Sequence, residues 1–137
     1  MTNLEKGKKL IGESEELLKE SKRAYQSSLY NITVRRSQET VELALKGLLV
    51  ILGIEYPKIH DVGMVFYEQV IIKGVKIEEK DLEKIKFISS RLVKEREASF
   101  YMERDYDKEE TEEALEDAEF VFSKINQLVK SVNFREF

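Results

Sequence analysis

Apolar residues along this chain recur at intervals of three and four, and no stretch alternates with the period of two that marks a half-buried strand. The pattern predicts five helices. The first runs from about Leu4 to Ser27 and carries Leu10, Ser14, Leu17, Leu18, Ser21, Ala24 and Tyr25 on one stripe, with Glu and Lys opposite. Several members of that stripe are small, which lets a neighbouring helix come close. The second runs from about Tyr30 to Leu52 and turns Val34, Val41, Leu45, Leu48, Leu49 and Leu52 to one side. Its second half is apolar nearly all round, the mark of a helix buried on several sides and therefore central. Gly53 is placed to cap its C-terminus, and Tyr56-Pro57 blocks continuation.

A third helix is expected from about Asp61 to Ile72, with Val62, Val65, Phe66 and Val70 apolar, Asp61 capping its start and Lys73-Gly74 ending it. The fourth begins near Glu78, shows Leu82, Ile85, Ile88 and Leu92 at core spacing, and continues to about Tyr101. Met102 to Asp107 reads as a charged connection with an aromatic element. The fifth, about Lys108 to Val132, turns Leu115, Ala118, Val121, Phe122, Ile125 and Leu128 inward. Its acidic first turns and the later Lys124 and Lys130 suit the helix dipole. The short connections favour antiparallel neighbours, so the expected fold is all-α: an up-down bundle of four to five antiparallel helices forming one domain over residues 1–137.

Composition narrows the chemistry. The chain has 137 residues, 42% of them apolar, enough for one core and against global disorder. It has no cysteine, which removes disulfides, thiol catalysis and thiolate metal sites. The first residues run straight into charged, helix-forming sequence, and the most apolar stretch, Val41 to Ile54, is too short for a membrane span and holds Glu42 and Lys46. A cytoplasmic protein without membrane association is expected. Residues 1–60 hold ten Lys and Arg against eight Asp and Glu, whereas residues 61–137 hold thirteen against nineteen. No broad basic face for nonspecific nucleic-acid wrapping is advertised, although a local basic patch is compatible with these numbers.

Several enzyme classes fall away at once. There is no glycine-rich phosphate loop and no Gly-x-Ser-x-Gly elbow. With one histidine, His60, the chain lacks the paired Glu-x-x-His motifs of a di-iron bundle and the ligands of a histidine zinc site. No metal and no cofactor is expected. His60 itself reads either as a general base or phosphate contact, or as a helix-start residue beside Asp61. Gln38, Glu42 and Lys46 repeat every four residues on an otherwise apolar helix, with Arg35 and Glu39 flanking. They form either a polar seam at a groove or subunit interface, or a solvated strip. Arg91, Arg96, Tyr101, Arg104 and Tyr106 put guanidinium forks near aromatic rings, suited to gripping phosphate and stacking a base. Glu95, Glu97, Glu103 and Asp105 interleave them, so a salt-bridged helix end is the alternative.

Taken in order, these segments resemble the HEPN family of prokaryotic, nucleotidyltransferase-associated helical bundles. The likeness lies in Ala24-Tyr25 on the early helix and in the long second helix from Gln38 to Leu49. It continues through Gly53, the His60-Asp61-Val62 helix start, and Arg96-Glu97-Ala98-Ser99-Phe100-Tyr101 before an acidic last helix with Ala114 and Ala118. It covers about Leu10 to Leu128. The resemblance implies a four- or five-helix bundle, usually a homodimer, often paired with a small nucleotidyltransferase subunit. Some members are ribonucleases of toxin–antitoxin systems that carry Arg followed, after four to six residues, by His. Here Tyr101, Met102 and Glu103 occupy the positions after Arg96, and Arg96, Glu97 and Ala98 those after Arg91. The motif's proton-transfer residue is therefore missing, because tyrosine titrates near 10.

The expectation is thus a noncatalytic subunit of this type that binds a nucleotidyltransferase-like partner, a nucleotide or RNA in an interhelical groove. Arg91 and Arg96 would hold phosphate, Tyr101 would stack or hydrogen-bond, Tyr106 and His60 are further candidates to contact the nucleotide or RNA, and Gln38, Glu42 and Lys46 would order the groove or interface. The alternatives are a ribonuclease using Arg96 with Tyr101 or His60, and a scaffold dimer without a small ligand.

Overall fold

The computed structural model describes residues 1–101 and 104–131. Five helices account for it: α1 (Asn3–Gln26), α2 (Tyr30–Ile51), α3 (Gly63–Ile72), α4 (Glu79–Phe100) and α5 (Lys108–Ser131). Their bounds follow the periodicity closely. Met102 and Glu103, in the expected charged connection, and Val132, the expected end of the last helix, lie outside the described residues. Asp61 precedes α3 instead of beginning it. Its Oδ1 accepts from the Gly63 N–H at 3.2 Å and from Ser89 Oγ at 2.7 Å, so from one residue before the Val62 cap position it satisfies the first free N–H of α3 and tethers that helix to α4.

α2 packs on all four other helices and on α1 most of all. Val34, Val41, Leu45, Leu48, Leu49 and Leu52 are all buried, as the apolar face demanded. Gly53 follows its last turn with φ +78°, and Ile54 N–H donates to Leu49 O at 2.9 Å. A side chain there would be held in the left-handed region that glycine occupies without strain.

Cross-helix contacts give the directions. Gly7 meets Gly47 and Ile51 at one end of the α1–α2 pair, and Ser21 meets Thr33 and Ser37 at the other, so the two helices are antiparallel. Arg35 reaches Ser99, and Arg91 reaches Asp117 while Lys124 reaches Asp81, so α4 runs antiparallel to α5. The long helices therefore alternate up, down, up, down, with α3 inserted between α2 and α4. The helix α2 also packs extensively on α5, and this leaves it enclosed where a square bundle would expose one side. That accounts for an apolar circumference in its second half.

The α1–α2 seam is lined by small residues. Its buried line on α1 is Gly7, Ile11, Ser14, Leu18, Ser21 and Ala24. Leu10 and Leu17, expected on that stripe, sit at its edges and are only partly buried, as are Val65 on α3 and Phe122 on α5. Buried hydroxyls in the seam are satisfied: Ser21 Oγ donates to Thr33 O at 2.9 Å, and Ser37 Oγ lies 2.8 Å away to donate in turn. No helix among the described residues is long and apolar enough to cross a membrane.

Candidate functional site

The polar stripe on α2 is neither solvated nor idle. Gln38 is 2% exposed and donates through Nε2 to Glu42 Oε1 at 2.9 Å. Lys46 Nζ donates to Glu42 Oε2 at 2.6 Å, and the side chains of this pair are each 12% exposed. The four-residue spacing stacks the three groups one turn apart, which allows this chain of bonds on a single helix. Lys46 also lies over the Tyr56 ring, 5.2 Å from its centroid.

His60 joins the stripe from the α2–α3 connection. Its Nδ1 lies 2.9 Å from Glu42 Oε1, and a carboxylate can only accept, so Nδ1 carries the proton. The ring is 56% exposed on its side-chain surface. The bonding thus differs from a helix-start histidine held by backbone: Asp61 takes that structural role, and His60 points its bonds at α2. Burial pushes the Glu42 carboxyl up, but the hydrogen bonds from Lys46, Gln38 and His60 outweigh it and hold Glu42 below the usual glutamate range.

A depression of about 230 Å³ opens beside this network, lined by Glu39, Glu42, Leu43, His60 and Arg96. Glu39, Glu42 and Leu43 share one face of α2 by their spacing, and α4 supplies Arg96 from across the groove. Among the described residues Arg96 makes no hydrogen bond or ion pair, and its Nε is buried without a partner. Its guanidinium stacks on Phe100 at 4.8 Å, and Arg35 stacks on the same ring at 4.2 Å. Arg35 is otherwise committed, donating to Ser99 Oγ at 2.8 Å and to Ser99 O at 3.0 Å. Arg36 is bound to Glu39 at 2.7 Å and pairs with Glu20 at 3.3 Å.

The remaining expected residues do not join this depression. Arg91 is paired with Asp117, with Glu95 at 3.3 Å and with Glu113 at 3.7 Å, so its charge is already spent on carboxylates between α4 and α5. Burial holds the Glu95 and Asp117 carboxyls above their usual range even with Arg91 beside them. Tyr106 is 5% exposed, and its hydroxyl donates to Glu95 O at 3.0 Å, which makes it a core residue and not a stacking platform. Tyr101 caps the C-terminus of α4 and is 76% exposed. Glu39, named from the sequence only as flanking the stripe, and Leu43, not singled out there, also line the depression. No three His, Asp or Glu side chains gather as metal ligands among the described residues.

The arrangement offers a guanidinium that is unpaired among the described residues, a largely exposed imidazole whose Nδ1 is bound to Glu42, and carboxylates beside them. The family model of the HEPN domain matches residues 8–128. The chain belongs to the HEPN domain family. The match spans both the helix that carries the polar stripe and the helix that carries Arg96, so the HEPN domain and the depression are parts of one structure. No curated protein matches the chain.

Proposed function

We propose that this HEPN chain is a noncatalytic binding subunit that takes the phosphate of a nucleotide, free or in an RNA strand, in the depression between α2, the His60 turn and α4. The observation that carries the reading is the state of Arg96. Every other arginine on α2 and α4 is already engaged by protein groups, whereas Arg96 lines the depression with no partner among the described residues. A guanidinium beside an exposed imidazole is suited to phosphate oxygens, and a phosphate would supply the acceptors that Arg96 lacks. Glu42 orders the site by binding Nδ1 of His60, so that Nε2 is the ring nitrogen left to meet a ligand. As the resemblance implies, the chain would work as a homodimer, with a small nucleotidyltransferase-like protein as its other partner. Exposed Met64, Phe87, Phe100 and Tyr101 supply apolar surface for such assembly.

Calorimetric titration with AMP, ATP and a short RNA tests the reading. The Arg96→Ala chain should bind about 10–100-fold more weakly, the equivalent of one charged hydrogen bond of about 1.5–3 kcal/mol, while melting as the parent does. Equal affinity in the two chains, or no heat with any of the three, would remove the proposal.

A ribonuclease is the second reading, favoured by the Glu42–His60 bond. A carboxylate that binds Nδ1 leaves Nε2 to take the proton of an RNA 2′-hydroxyl as its oxygen attacks phosphorus, the 5′-oxygen leaving with a proton from water, while Arg96 in the same depression would hold the phosphate oxygens. In that case purified protein cleaves RNA, and His60→Ala and Arg96→Ala each stop it. Cleavage that survives either substitution speaks for a contaminant.

A further inference from the structure

A phosphate site lined by carboxylates poses a problem: an anion gains nothing from a second anion nearby unless the carboxylate meets another part of the ligand. Glu42 is already occupied by three donors, Gln38, Lys46 and His60. Glu39 is not. Its Oε1 accepts from Arg36, its side chain is 27% exposed, and among the described residues Oε2 has no partner. It lines the depression together with Arg96.

The donors a nucleotide carries within one sugar length of its phosphate are the ribose hydroxyls. The depression, about 230 Å³, is smaller than the ~300–1,000 Å³ typical of sites for drug-sized molecules, which suits a sugar phosphate with its base left outside. Leu43 offers the apolar patch against which a sugar's carbon face rests. We infer that Glu39 selects ribose over deoxyribose by accepting a hydrogen bond from the 2′-hydroxyl of the nucleotide whose phosphate Arg96 holds. The inference rests on the phosphate-binding reading and adds to it a sugar preference with little base preference. A carboxylate on a ribose hydroxyl is a recurring solution in nucleotide sites, because an acceptor-only group rejects a ligand that lacks the donor.

The test compares AMP with 2′-deoxy-AMP, and an RNA tetranucleotide with its DNA counterpart, on the parent, Glu39→Ala, Glu39→Gln and Arg96→Ala chains. The parent should prefer each ribo ligand about tenfold. Glu39→Ala should bring that ratio close to one by weakening the ribo ligand and leaving the deoxy ligand as it was or slightly tighter. Glu39→Gln, which keeps the side chain's bulk and its packing beside Arg36, should give an intermediate ratio. Equal binding of the two sugars by the parent, lost in Arg96→Ala, overturns the role of Glu39 and leaves the phosphate site standing. A ribose preference that persists in Glu39→Ala also overturns it. No binding of any ligand by the parent removes the underlying reading and this one together.

Discussion

Replacing Gly47 with valine should destabilise the fold by about 2–4 kcal/mol and lower the melting temperature by about 10 °C or more. A Cβ at this position would sit 2.6 Å from Ile11 Cγ1 and 2.9 Å from the Gly7 backbone oxygen. The isoleucine can rotate, but the backbone oxygen cannot leave without moving α1. The reciprocal contact is tighter still: a Cβ on Gly7 would lie 2.5 Å from Gly47 O. The two helices therefore cross at a distance that only a pair of hydrogens permits. Gly12, on the exposed side of α1, has nothing within 4 Å of its added Cβ. Gly12→Ala should accordingly raise stability by about 0.5–1 kcal/mol through helix propensity alone. Thermal and urea melts of the two variants check the pair. A Gly47→Val chain as stable as its parent would mean that α1 and α2 do not meet where the structure places them.

The second large effect is expected at Glu42. Glu42→Gln keeps the shape of the side chain but leaves Lys46 without its counter-ion in a place where each is mostly buried. A broken pair of this kind should lower stability by about 2–3 kcal/mol near pH 7, between the small values of exposed pairs and the larger ones of fully buried pairs. The pH dependence has a definite sign. Glu42 has a folded-state value below its unfolded one, so its contribution is fully present above the ordinary glutamate range. It is lost as the pH falls through the depressed folded value. The parent and the variant should therefore differ at neutral pH and converge in acid. Glu95 and Asp117, held high by burial, act in the opposite direction, each favouring unfolding until it is protonated. They are common to both chains and drop out of the difference. Urea unfolding of the two proteins from about pH 7 to pH 3 measures it, and a gap that stays constant in acid would show that the Glu42 charge is not its source.

Most of the fold was legible because each of the four long helices, 22 to 24 residues, repeats one apolar face over about six turns. The residues the spacing named on α2 and α4 are all buried, but small inward residues such as Ser37, Ala44 and Gly47 on α2 and Ser89 on α4 were not named by it. The edges were not legible: whether Leu10 or Ile11 heads the α1 stripe depends on where α2 lies, and α2 is drawn in by two glycines 40 positions apart. The i, i+4 row of Gln38, Glu42 and Lys46 was visible as a row, but its meaning came from His60, which reaches it from another segment. Arg91 and Arg96 look equivalent in sequence. Five residues of helix turn one about 140° from the other, so one faces the carboxylates of α5 and the other faces α2. Tyr106 had a local signal that was available. It stands just before Asp107, whose Oδ1 accepts from Glu110 N at 2.8 Å while Glu110 Oε1 accepts from Asp107 N at 3.3 Å. A hydrophobic residue ahead of such a reciprocal cap folds onto the helix instead of standing free to stack.

A phosphate held in the depression would touch Arg96 and His60 together. Side-chain NMR of the isotope-labelled chain, titrated with AMP, observes both groups at once. The His60 ring and Arg96 guanidinium resonances should shift together along one binding curve, while those of Arg91 and Tyr106 stay in place. Shifts at Arg91 or Tyr106 with His60 and Arg96 unmoved would place the ligand elsewhere and rule out the depression as its site.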